Sequence, residues 1–437
     1  LGDVYKRQVN GTTAKAVNVR PVAALPAVGF TSSATQSTNQ FTQTLTGYSF
    51  GGSGSYTSNC SSFADDVNQP RPWKAFDYDT TTWWENAYYI QTGYNGIGAT
   101  SANTYNGSYT TTVSGSSVGG EWLQLGLPTA IVLYSYSMYN RIFYNGYRMP
   151  YAWTVAGSND GSTWTTVDTQ TGIIWTSATQ TFTTTSSTPY LYFRLIVQAI
   201  QSLGNSNQPV NIGQWTLNGS NASWNTDFYA DRLGNLLTTP VTGQTLANWL
   251  GGATGYVTTW YDQSGQGQHM NQPTASLQPT INLTTSPASI LFTGNGTTSG
   301  QYFQNTIPFT FNFGTNYQYT IRAVVNNTVG GVLVYKGYQG ALWTKGGQKV
   351  WYMGPNSATQ VAGNYPDHVG FGEGWVYTTT PITSAKTSVT WASSSYSSVA
   401  VYENAVSVTP SYNHAGAGAQ FDLSLIHISE PTRPLYI

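Results

Sequence analysis

The chain has 437 residues, of which 8% are charged, with 16 Lys and Arg against 17 Asp and Glu for a net charge of −1. That balance excludes a basic nucleic-acid footprint, and no apolar run approaches the roughly 20 residues that a membrane-spanning helix needs. Disorder is excluded too, because 15 Trp, 32 Tyr and 16 Phe provide ample core material.

Thr, Tyr, Val and Trp suit pleated, half-buried surfaces, and the helix formers Glu and Lys are scarce, so the expected fold class is all-β. The length fits two or three domains. Residues 1–8 and 423–437 do not match the rest. Both resemble translated sequencing-adapter read-through and are set aside from fold reasoning. On that reading the gene is cut at both ends, and a signal peptide could have stood before the cut. Residues 9–40 are Ala, Val, Thr, Ser and Gln without a clear period, and read as a linker or extended arm.

A first domain is expected over 41–219. The run Pro70-Arg-Pro-Trp-Lys-Ala-Phe-Asp-Tyr-Asp-Thr-Thr-Thr-Trp-Trp84 ends in paired tryptophans. A stretch rich in Tyr, Asn, Gly and Ser separates Trp84 from Glu121 and reads as an elaborated loop. Glu121-Trp-Leu-Gln-Leu-Gly126 follows as a strand with Leu123 and Leu125 facing in. Asn159-Asp160-Gly161 then divides two alternating runs, with Trp153 and Val155 on one side and Trp164 beyond the turn, which predicts a β-hairpin. Over 190–197, Leu191, Phe193, Leu195 and Val197 are expected on the core, with Tyr190, Tyr192 and Arg194 opposite. Asn211-Ile-Gly-Gln-Trp-Thr-Leu-Asn-Gly219 closes the domain. These four ordered motifs resemble the discoidin, or coagulation factor V/VIII type C, family. That resemblance implies a jelly-roll, galactose-binding-like β-sandwich that binds sugars or lipids through its end loops. The family's common closing disulfide is absent, since Cys60 is the single cysteine, and Gln214 stands where the family often has Glu.

A second domain is expected over 222–422. Leu246, Trp249 and Leu250 fall at helical spacing before Gly251-Gly252 and predict a short capped helix. The block Trp260-Tyr-Asp-Gln-Ser-Gly265, followed by Asn271-Gln-Pro273 and Leu277-Gln-Pro279, resembles the start of the α-L-arabinofuranosidase B catalytic-domain family and its concanavalin-A-like relatives. Residues 289–292, 319–325, 331–335 and 398–404 read as further strands. The predicted architecture is therefore two tandem antiparallel β-sandwiches, discoidin-like and then concanavalin-A-like.

A glycosidase needs two carboxyl groups roughly 5 to 9.5 Å apart. The second domain offers Asp227, Asp231, Asp262, Asp367, Glu373, Glu403 and Asp422, and none from 280 to 366. Asp262 is expected to cap backbone amides in a turn, and Glu403 to sit in a solvated turn. Asp367 and Glu373 flank Gly370-Phe-Gly372 and could share a cleft. The arabinofuranosidase family's catalytic carboxylates cannot be carried onto matching positions, so no catalytic residue is assigned. His269, His368 and His414 lack zinc-ligand spacing, and no metal or cofactor is expected. Cys60 is expected in a Ser-rich loop without a neighbouring base and is expected to be inert.

Binding asks less of a sequence. Sugar rings stack on aromatic faces while Asn, Gln, Asp and Arg bond their hydroxyls. The candidate ligand-binding residues are Trp84, Tyr88, Tyr139, Arg141, Tyr144 and Arg148 in the first domain and Trp375 in the second. Trp83 matches a Trp that is mostly core in the discoidin family. The expected partners are glycans or glycoconjugates, with no nucleic acid and no membrane span; an oligomer is compatible with the sequence. The expected role is a lectin-like, non-catalytic adhesion or surface protein, secreted, at a cell surface or on a virion. Two alternatives stand beside it: a secreted polysaccharide-degrading glycoside hydrolase with a targeting module, and a structural fibre or spacer.

Overall fold

The computed structural model describes residues 14–31, 38–65, 70–87, 94–95, 102–141, 148–201, 208–230, 236–237, 245–262, 267–284, 289–293 and 301–304, and the backbone of strands between 319 and 413. Residues 1–8 and 423–437 lie outside the described residues. The chain forms two compact units: Arg20–Asn225 with Ala247–Gly255, and Leu1–Val19 with Thr226–Leu246 and Tyr256–Ile437. The described elements are almost entirely strands in antiparallel pairing, so the fold class is all-β.

Strand β1 (Ala14–Leu25) runs through the segment expected as a linker or extended arm. The backbone there is extended, but it is paired. In the first unit Ala23, Ala24 and Leu25 lie opposite Gly219, Asn218 and Leu217. The sequence hid this because a register shift between Lys15 and Val17 and the consecutive buried residues 16–17 and 19–21 break the period-two pattern.

Two sheets build the first unit. One is ordered β2 (Phe41–Leu45), β3 (Gly54–Cys60), the first part of β9 (Glu121–Tyr139), then β13 (Tyr190–Gln201), β10 (Pro150–Ser158) and β11 (Thr165–Gln170). Between β3 and β9 in the chain come β4 (Trp84–Glu85), β5 (Tyr94–Asn95), β6 (Ala102–Tyr105), β7 (Thr110–Val113) and β8 (Ser116–Gly119). Then follow β9 (Glu121–Tyr139), β10 (Pro150–Ser158), β11 (Thr165–Gln170), β12 (Thr179–Thr183), β13 (Tyr190–Gln201), β14 (Asn211–Ile212) and β15 (Gln214–Ser220). The other sheet is ordered β12, the last part of β9, β15 and β1. Strand β9 thus serves both layers, passing from one to the other near Leu127–Ala130, so Glu121 and Tyr139 lie at the same end of the sandwich.

The core lies between the layers. Leu123, Leu125, Trp153, Val155, Phe193, Leu195 and Val197 from one sheet meet Tyr136, Met138, Trp215, Leu217 and Leu25 from the other. Leu123, Leu125, Trp153 and Val155 face in as their alternation predicts.

Four local expectations change. The stretch between Trp84 and Glu121 is more than a loop: it holds β5 to β8, and β6 pairs with β13. Over 190–197 the alternation slips, because the register shifts between Tyr190 and Tyr192. Tyr190 therefore joins the core and Leu191 stays half-buried, at the place where β9 runs from Gly126 to Ile131 while β13 advances only from Tyr192 to Tyr190. The 151–167 hairpin has a wider loop than a two-residue turn, from Asn159 to Trp164, with Gly161 at φ +74°. Asp160 fills it by accepting from the Ser162 and Thr163 amides at 2.8 and 2.7 Å. Cys60 ends a strand and is buried, where loss of hydration raises its thiol pKa.

In the second unit, β1 pairs through Ala14–Val19 with β16 (Thr226–Ala230), which pairs with β17 (Leu236–Leu237). Strands β18 (Thr254–Trp260), β19 (Met270–Asn271), β20 (Thr280–Asn282) and β21 (Ser289–Leu291) continue it. Further on, β22 (Tyr319–Val325) joins a four-stranded sheet with β27, β28 and β29, while β23 (Val334–Lys336), β24 (Trp351–Gly354), β25 (His368–Phe371), β26 (Gly374–Thr378) and β30 form a five-stranded one. Their late members are β27 (Thr387–Ser395), β28 (Ser398–Glu403), β29 (Val406–Val408) and β30 (Pro410–Asn413). The predicted short helix is present as Leu246–Leu250, but from Ala247 onward it belongs to the first unit and not to the expected second domain; Gly251 and Gly252 follow at φ +54° and +94°, the left-handed backbone that ends helices on glycine.

Candidate functional site

One end of the first unit's sandwich holds a cluster of charged side chains, Glu85, Arg141 and Arg148. The ends of β9 and β13 and the starts of β10 and β15 reach it, and the short pair β4–β14 sets Glu85 opposite Asn211 and Trp84 opposite Ile212. Glu85 Oε2 accepts from Asn211 Nδ2 at 2.8 Å, Arg141 Nη1 at 3.1 Å and Trp83 Nε1 at 3.2 Å. Arg141 Nη1 also donates to Asn211 Oδ1 at 2.9 Å, and its guanidinium lies 3.4 Å from the centroid of the Trp83 ring. The Arg141 and Glu85 side chains are 13% and 10% exposed. Burial raises the Glu85 carboxyl pKa, and the charges of Arg141 and Arg148 work against that rise.

Arg148 stands at φ +68°, a backbone conformation uncommon outside glycine. It is held there from both sides: its N–H donates to Gln201 O at 3.2 Å and its carbonyl accepts from Asn211 N at 2.9 Å. Its Nε donates to Gln208 Oε1 at 2.9 Å. Tyr139, half-buried, is the last residue of β9, and its carbonyl accepts from Gly213 N.

Arg141, Arg148 and Tyr139 thus come together from the expected set. Trp84 does not belong with them. It is fully buried and its indole N–H donates to Ser62 O at 3.0 Å, so it is core and presents no face to a ligand. Tyr88 and Tyr144 lie outside the described residues. Trp375 lies in β26 opposite Gly370 and Asn413, in the other unit, and its backbone alone is described. Sequence reasoning missed Glu85, Asn211 and Gln208. A usable signal was present for Glu85, a carboxylate placed directly after two tryptophans in a chain with few charges.

Two neighbouring features shape this end. Glu121, with no exposed surface, accepts from the hydroxyls of Ser61 and Ser62, and burial raises its carboxyl pKa. Gln214 closes the 74–82 turn: its Nε2 donates toward Lys74 O, Asp77 Oδ1 and Asp79 O at 2.9, 2.7 and 2.9 Å, and its Oε1 accepts from Tyr78 N at 2.9 Å.

The described carboxylates of the second unit are occupied in holding its strands. Asp227 binds Lys15 at 2.6 Å, Asn18 at 2.7 Å and the Tyr261 hydroxyl at 2.8 Å. Asp262 accepts from Gln268 N at 3.1 Å, as a capping role requires. Asp231, Asp367, Glu373 and Asp422 lie outside the described residues. Among the described residues no group of three or more His, Cys, Asp or Glu is placed to hold a metal, and no helix is long and apolar enough to cross a membrane.

No family model matches the chain, and no curated protein matches it in sequence. Solved structures similar to it include carbohydrate-binding modules and a family 89 glycoside hydrolase of Clostridium perfringens. One is the module CBM32-3 from a family 31 glycoside hydrolase of Clostridium perfringens, at 15% identity and TM-score 0.27, covering 37% of this chain and 87% of that one. Another is the family 32 module of C. perfringens NanJ, solved in complex with galactose, at 15% identity and TM-score 0.27, covering 37% and 93%.

Proposed function

We propose that the first unit binds carbohydrate, without cleaving it, at the sandwich end that carries Arg141, Arg148, Asn211 and Tyr139. The observation that carries this reading is the fixed placement of Arg141, stacked on Trp83 and bonded to Glu85 and Asn211. A guanidinium held in a fixed place can bond vicinal hydroxyls at little cost in side-chain entropy, and buried Asn211 helps to hold Arg141 there. The resemblance of residues 70–84, 121–126, 151–167 and 211–219 to the discoidin family supports the same reading. An extracellular, surface or virion setting belongs to this proposal, as does the concanavalin-A-like reading of the second unit.

A glycan array probed with the full chain tests it. Binding by the wild type and its loss in Arg141→Ala, with the melting curve still cooperative, is the expected result. Unchanged binding by that variant removes the site. No observation among the described residues favours the hydrolase reading; release of arabinose from an arabinoxylan by the full chain would restore it.

A further inference from the structure

Three donors from three distant stretches converge on one oxygen. Trp83 Nε1, Arg141 Nη1 and Asn211 Nδ2 all point to Glu85 Oε2, and Arg141 also donates to Asn211 Oδ1. The result is a triangle in which the orientation of each side chain depends on the other two. An oxygen with three donors favours the charged form, because the carbonyl oxygen of a neutral carboxylic acid accepts more weakly than a carboxylate oxygen.

We propose that Glu85 is the positioning residue of the sugar site, and that its protonation lets Arg141 and Asn211 turn out of place, so that acid releases the glycan. This rests on the reading of the site given above. Glu85 itself need not touch the sugar; it acts through the two side chains it orients.

The charged groups around Glu85 set the direction of the switch. Arg141, after β9, and Arg148, before β10, both favour the carboxylate, yet burial is the larger influence and opposes them. The chain at Ala64 and at Pro70 meets the Glu85 backbone, with Ala64 N donating to Glu85 O and Glu85 N to Pro70 O. It brings Asp65 and Arg71, which pair with each other at 2.7 Å. The turn Pro72–Phe76 adds Lys74. Asn86, next in the chain, leads to Glu121, the second buried carboxyl at this end. Loss of binding is therefore expected on the acid side of neutrality, above the ordinary glutamate range.

The test measures the full chain on a printed array of neutral and acidic oligosaccharides at pH 7 and pH 4.5, with melting curves at both. The wild type is expected to lose about tenfold or more of its signal at the lower pH while still folded. Glu85→Gln is expected to bind weakly at both values with no acid step. Glu121→Gln is expected to keep the step, because Glu121 does not hold Arg141 or Asn211. A flat wild-type profile overturns the inference even if Glu85→Gln fails to fold, and so does an acid step that vanishes in Glu121→Gln or persists in Glu85→Gln. Absence of array signal at both pH values instead overturns the carbohydrate reading itself.

Discussion

Arg141 lays its guanidinium flat on Trp83, 3.4 Å from the ring centroid, while its Nη1 reaches Glu85 and Asn211. A planar cation is needed for both contacts at once. Lysine carries the same charge as a point on a flexible stem and cannot stack and fork together.

Arg141→Lys should therefore keep most of the ion pair with Glu85 while losing the geometry. The expected outcome is glycan binding weaker by about tenfold or more, against a stability loss of only about 1 kcal/mol. Calorimetric titration and urea denaturation of the same preparation check the two halves. Binding equal to wild type would separate Arg141 from the site.

A second arginine makes a structural clasp. Arg194 lies between Trp122 and Trp164, 3.9 and 4.2 Å from their ring centroids. It donates to Gln124 Oε1 through Nε and Nη2, and to Thr111 Oγ1 on β7 through Nη1 at 3.0 Å. Burial lowers its pKa to about 10. The β7–β8 hairpin is fastened to the same place by Val113, which packs with Trp164, and by Ser114 N donating to Trp164 O. Arg194→Ala removes two cation–π contacts and strands their partners, so a loss of about 2–4 kcal/mol is expected. Amide exchange should rise first over 110–119, and glycan binding should persist. Exchange that rises evenly across the sandwich would refute the clasp.

The sheet strands were legible where alternation was strict, as at Leu123, Leu125, Trp153 and Val155, because period-two burial writes itself directly into sequence. Tyr190 and Leu191 exchanged places because a single register shift inverts every side chain beyond it, and no residue type announces such a shift. The 102–119 strands were hidden because Thr and Ser, most of which face solvent there, also make loops. Trp84 looked available for stacking, yet its neighbour Trp83 is the one in contact with Arg141; only the β4–β14 register separates them. The site triad was out of reach for a plainer reason. Residues 85, 141 and 211 meet only after both sheets have formed, and a single sequence carries no sign of that meeting.

Gln214 offers a sharper test of the packing near the site. Its amide nitrogen faces three oxygens, from Lys74, Asp77 and Asp79. Gln214→Glu replaces that donor with a negative oxygen pointing at a partly buried carboxylate and two carbonyls. A loss of about 2 kcal/mol or more at pH 7 is expected in urea. Because Asp77 already has a raised pKa from burial, the loss should shrink as acid protonates the pair. A neutral effect of the substitution would show that the turn rearranges freely.

Glu121 gives a prediction in pH. Its carboxyl pKa is raised in the folded chain, first by burial, with Ser61, Ser62 and Asn86 opposing. The folded state therefore keeps this proton to a higher pH than the unfolded state does. That preference contributes stability in full below the unfolded glutamate value and loses it as pH rises through the folded value. Glu85 and Asp77 act in the same sense, whereas Asp160, Asp79 and Asp227 have lowered values and act in the opposite one. The whole-protein profile mixes these contributions, so the difference between wild type and Glu121→Gln is the quantity to follow. From pH 4 to pH 7 the wild type should lose stability relative to the variant, read as a narrowing or reversal of the gap in urea midpoints. A gap that stays constant over that interval would mean that Glu121 carries the same proton in both states, and the buried carboxyl would have to be satisfied in a way its three polar neighbours do not provide.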